Sequence, residues 1–129
     1  MLQTFARRGV VFLLVVLLFG TLMPGGWKDG AIDRIPLTLN LAALAHVSLF
    51  AGMAFLLPLA RWWELRWWQL PALGLGLALV TEGLQYFAVD RHPNVAGVVQ
   101  DLLGTLLGWA AAAAWHGRVR ARWGRDGAV

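Results

Sequence analysis

Residues 70–89 read LPALGLGLALVTEGLQYFAV, and this stretch decides the fold. It is apolar enough, and long enough, to cross a hydrocarbon core of ~30 Å as a helix. It lacks the strict alternation of a barrel strand. Backbone amides that face hydrocarbon must be satisfied within their own segment, so the predicted form is a membrane-spanning helix. Yet its second half carries Glu82 and Gln85, and an ionisable group near the middle of a span costs at least ~2.5 kcal/mol. The fold and the candidate site are thus announced by the same twenty residues.

Working outward, comparable apolar runs cover about residues 9–23, 37–60 and 95–115. Together they predict an all-α polytopic membrane protein, a single domain over 1–129 folded as a four-helix transmembrane bundle. Composition agrees: 59% hydrophobic and 14% charged residues, with a mean hydropathy of +0.62, are too apolar for an ordinary soluble domain. The first run follows Arg7 and Arg8 as the core of a signal peptide would, but no small-x-small cleavage site comes after it, so a retained helix is expected. Pro58 and Pro71 fall near span ends, where they do little damage.

The absence of cysteine excludes disulfides, thiolate metal sites and cysteine nucleophiles. A net charge of +4 could suit nucleic acid, but the basic residues sit at the ends of apolar runs, and membrane lipid headgroups are the expected partner instead. With the N-terminus inside, Arg7, Arg8, Arg61, Arg66, Arg118, Arg120, Arg122 and Arg125 are cytoplasmic, against Lys28, Arg34 and Arg91 outside. That bias predicts two cytoplasmic termini in a bacterial inner membrane. Trp62, Trp63, Trp67, Trp68 and Trp115 mark span boundaries, where amphipathic rings prefer headgroups. Residues 116–129 are expected to form a mobile basic tail along the inner leaflet.

Four polar positions inside the spans call for an explanation: His46 in the second, Glu82 and Gln85 in the third, Asp101 in the fourth. At ~1.5 Å per helical residue they lie roughly 9 to 13 Å below the outer ends of their helices, all in the outer half of the bilayer. Gly74, Ala78, Glu82 and Gln85 form one helical stripe, and Gly97, Asp101, Gly104 and Gly108 another. Small residues on such stripes let helices approach closely, so the packing faces aim the polar groups inward. Arg91, in the loop after the third span, could fold over the cluster, with Asp90 and His92 beside it. These residues predict an outward-opening polar pocket of His46, Glu82, Gln85, Arg91 and Asp101. The simpler alternative is that they only join helices through hydrogen bonds.

The pattern Glu82-x2-Gln85-x5-Arg91-x-Pro93, continuing to Gly104 and Gly108 and preceded by His46-x3-Phe50, resembles the VanZ-like membrane protein family over roughly residues 37–115. Relatives commonly carry an aspartate where this chain has Gly97 and an asparagine where it has Asp101, and Ala42 and Ala43 replace an Asp-Lys pair that often precedes the family histidine. The resemblance implies a link to low-level resistance to lipoglycopeptide antibiotics of the teicoplanin type.

Three functions compete. The first is an envelope-associated protein that binds a lipid-linked or amphiphilic ligand, with Arg91 offering a planar fork of donors to phosphate or carboxylate. The second is a membrane enzyme acting on a lipid-linked substrate at the outer leaflet, with Glu82 or Asp101 as general base and His46 as its partner or as acid; no nucleophile motif and no metal-ligand spacing accompanies them. The third is a small proton-coupled exporter, although such proteins carry their glutamate in the first span and this one does not. No metal or cofactor is expected, since His46 is the only histidine well inside a span. A homo-oligomer stands beside membrane lipids and a lipid-linked ligand among the candidate partners.

Overall fold

A computed structural model describes residues 1–24, 26, 41–62, 66, 68–89 and 95–126, with side chains described through His116. Among the described residues the fold has four long α-helices and no strand. Helix α1 spans Leu2–Leu22, α2 Leu41–Ala60, α3 Gln69–Leu84 and α4 Val95–Asp126. Each is part of a stretch long and apolar enough to cross a membrane; α3 reaches that length together with the 3-10 turn that follows it, as Gln69–Phe87, and the stretch in α4 is Val95–His116.

Two boundaries differ from the apolar runs for the same reason. Helix α1 begins before its hydrophobic run because Gln3, Ala6, Arg7 and Arg8 are good helix formers that nothing interrupts. Helix α4 runs past Trp115 through an Arg-rich segment, so most of the expected basic tail continues the last span as helix. Hydropathy reports where oil ends, and helix propensity extends beyond it.

Helix α2 is the spine of the bundle, packing along both α1 and α4, while α4 also packs on α3; α1 touches α3 sparsely, as α2 does. The α1–α2 pair is antiparallel: Leu56 lies over Gly9, and Leu13 over Gly52. At its end the Arg7 Nε donates to the Ala60 carbonyl at 2.9 Å, satisfying one of the last carbonyls of α2 with a cation at the negative end of the helix dipole. Arg61 follows at φ 48°, a left-handed conformation that ends the helix.

Helices α2 and α4 run parallel and cross closely. Gly104 sits against the Val47 carbonyl and Gly108 against that of Ala51, so that neither position has room for a side chain. Buried Ala112 continues the line, and Phe55 meets Trp115 edge to face with ring centroids 6.5 Å apart. Without a hydrophobic drive inside lipid, this close backbone approach supplies the dispersion that holds the pair. A central apolar cluster of Leu17, Phe50, Met53 and Ala78 joins the first three helices.

Candidate functional site

The antiparallel order of the chain fixes which residues share a level. At ~1.5 Å per residue, His46 lies about 8 Å from the first residue of α2, Asp101 about 9 Å from that of α4, and Glu82 about 8 Å from the end of the 3-10 turn Gln85–Phe87 that closes α3. These three helix ends belong to one end of the bundle, opposite the start of α1. The expectation of a common depth therefore follows from the helix bounds themselves.

Asp101 is 0% exposed, and its Oδ1 lies 2.8 Å from the Nδ1 of His46, whose side chain is 18% exposed. With Asp101 ionised, His46 donates this hydrogen bond, which sets the orientation of the ring. The second carboxylate oxygen, Oδ2, is buried and has no hydrogen-bond partner among the described residues. A carboxylate can accept about four hydrogen bonds, so an unfilled oxygen in an apolar interior is a strong unmet demand for a donor.

One turn earlier on α4, Gly97 abuts the Glu82 carboxylate, closely enough that a Cβ at position 97 would overlap Oε1. Glu82 is 6% exposed and Gln85 4% exposed, and Gln85 Nε2 donates to Glu82 Oε1 over a long 3.4 Å. Helix α4 is thereby shared between its neighbours: position 97 meets α3, while position 101 meets α2. An aspartate at 97 would set a second carboxylate against Glu82, whereas one turn on it finds an imidazole.

Two buried threonines complete this layer. Thr105 Oγ1 donates to the Asp101 carbonyl at 2.9 Å, and its side chain fills the space in front of Gly74; Thr81 Oγ1 donates to the Ala78 carbonyl at 2.9 Å. Sequence reasoning passed over both, although a threonine four residues after Asp101 is a readable sign of a buried face. Thr21, near the end of α1, is also buried, its hydroxyl without a partner among the described residues.

Of the predicted site residues, the structure brings His46 to Asp101 and Gln85 to Glu82, and α4 carries both pairs against its flanks. Arg91, together with Asp90, His92 and Pro93, lies outside the described residues, as do Lys28, Arg34, Trp63, Trp67 and the first residues of the expected second span, 37–40. No three histidine, aspartate or glutamate side chains converge as a metal ion would require, among the described residues. No protein-family model, no curated protein and no solved structure matches the chain.

Proposed function

We propose that this chain is a VanZ-like, envelope-associated protein of the bacterial inner membrane, with both termini cytoplasmic, that binds a lipid-linked or amphiphilic ligand at the end of the bundle holding His46, Glu82, Gln85 and Asp101. The observation that carries this reading is the Asp101 carboxylate: fully buried, paired on one oxygen and, among the described residues, lacking a donor on the other. Structural glue needs only the paired oxygen, and burial of the other costs stability that a purely packing role would have no reason to keep. Arg91, in the connection between Phe87 and Val95, follows the resemblance and supplies a guanidinium suited to a phosphate or carboxylate on the ligand. The positive-inside bias puts this end of the bundle at the outer leaflet, where a lipoglycopeptide or a lipid-linked envelope precursor is met.

The test is teicoplanin susceptibility of a strain from which the gene has been deleted, complemented with wild-type protein, Arg91→Ala or Asp101→Asn. Loss of complementation by Arg91→Ala at unchanged membrane abundance supports ligand recognition. Full complementation by both variants excludes it. Reporter fusions at each terminus check the topology, and a periplasmic signal from either would invert the assignment of leaflets.

A second reading has one specific observation in its favour. An imidazole whose Nδ1 is held by a buried carboxylate is oriented as a general base, and the partial exposure of His46 leaves it reachable. Turnover of a lipid-linked precursor by purified protein, abolished in His46→Gln, would establish an enzyme.

A further inference from the structure

At the end of the bundle away from the polar layer, the sparse contact between α1 and α3 leaves an apolar crevice of about 340 Å³. Its walls are Val10 and Leu14 of α1, Met53 and Leu57 of α2, and Leu73 and Leu77 of α3. Gly74 contributes no side chain to the wall, and Thr105, also in the lining, has its hydroxyl turned to the Asp101 carbonyl. Phe50, 1% exposed and part of the central cluster, also lines the crevice and lies one turn from His46, on the side toward the polar layer.

The other end is different. Trp62, 40% exposed, lines the crevice and also a shallow ledge that it shares with Arg7, Arg8, Val11 and Phe12. Arg7 and Arg8 are exposed on this ledge, and Arg7 also holds the Ala60 carbonyl through its Nε. A dry, elongated slot that ends beside an indole and two guanidiniums has the layout of an acidic amphiphile: hydrocarbon in the slot, the tryptophan at the headgroup boundary, the phosphate on the arginines.

We infer that this crevice is a binding site for one anionic phospholipid, with an acyl chain between α1 and α3 and the phosphate on Arg7 and Arg8. The lipid completes the bundle by covering Leu14, Leu73 and Leu77 where α1 and α3 touch only sparsely. Charge complementarity selects its headgroup, because two guanidiniums near a membrane surface each favour an acidic lipid. The crevice meets the polar layer only at Thr105, whose hydroxyl is taken up by the Asp101 carbonyl, and the proposal does not depend on what that layer recognises.

Native mass spectrometry of the full chain in detergent tests it, with phosphatidylglycerol and phosphatidylcholine of identical acyl chains as probes. The wild type is expected to retain one phosphatidylglycerol about 10- to 30-fold more tightly than phosphatidylcholine. The pair Arg7→Gln and Arg8→Gln should remove that preference, and Ala54→Leu, which fills the crevice wall, should weaken both lipids alike. Equal retention of the two lipids by the wild type, a preference that survives the double substitution, or affinities untouched by Ala54→Leu would each overturn the proposal. Should the double variant fail to fold, Arg8→Gln alone decides the headgroup question: a preference for phosphatidylglycerol reduced several-fold supports it, and an unchanged one overturns it.

Discussion

Gly97 on α4 lies directly against the Glu82 carboxylate on α3, leaving no room for a β-carbon between them. The glycine is therefore part of the site: it makes the recess in which a buried carboxylate can sit beside a neighbouring backbone. Gly97→Ala must displace Glu82, at an expected cost of about 1–3 kcal/mol. Unfolding of the purified protein by SDS measures it. In a Glu82→Ala background the same substitution should cost almost nothing, and equal costs in the two backgrounds would show that the contact is not the cause.

The close crossing of α2 and α4 makes a sharper demand, because the obstacles are carbonyl oxygens rather than the end of a flexible side chain. Gly104→Ala and Gly108→Ala should each destabilise by roughly 1–3 kcal/mol or more, since only movement of the helices can make room. Gly76, which has open space where a Cβ would point, is the control. Gly76→Ala should be neutral or stabilising by up to ~1 kcal/mol through helix propensity alone. A uniform response at all three positions would discard the packing account.

Removing His46 leaves Asp101 buried without its hydrogen-bond partner. His46→Ala is expected to cost about 3–5 kcal/mol, whereas replacing both partners by leucine should restore most of the loss. A double-mutant cycle reads the coupling directly, and independent, additive costs would mean that the 2.8 Å contact contributes no interaction of its own.

Arg61 adopts a left-handed conformation at φ 48° that a side chain resists by roughly 1–2 kcal/mol. Arg61→Gly should relieve this and, after the extra chain entropy of glycine, raise stability by about 0.5–1 kcal/mol. Thermal denaturation in detergent is sufficient to see it. A loss of stability would show that the arginine side chain contributes more than its backbone costs.

Much of the layer of buried polar groups was legible beforehand because depth in a membrane helix is nearly linear in residue number. His46, Glu82 and Asp101 were placed at one level from segment ends and a fixed rise, and the helix bounds return that level. Partner choice was not legible. The stripe of Gly97, Asp101, Gly104 and Gly108 lies on one side of α4, but Gly97 meets α3 while Gly104 and Gly108 meet α2. A helical wheel identifies a face, whereas which neighbour each residue touches depends on how the helices cross. The threonines were overlooked for a related reason, since a hydroxyl bonded back to its own helix leaves little trace in hydropathy.

The amino-acid sequence by itself determined that there are four apolar helices among the described residues and that His46, Glu82 and Asp101 lie toward one end of them, because apolar length and helical rise are local quantities that no neighbour changes. Only the tertiary structure decided that Asp101 takes His46, that Gly97 makes way for Glu82, and that α1 and α3 stand apart over a crevice. Those outcomes follow from crossing geometry and close packing, in which the position of each backbone is set jointly by every helix it touches.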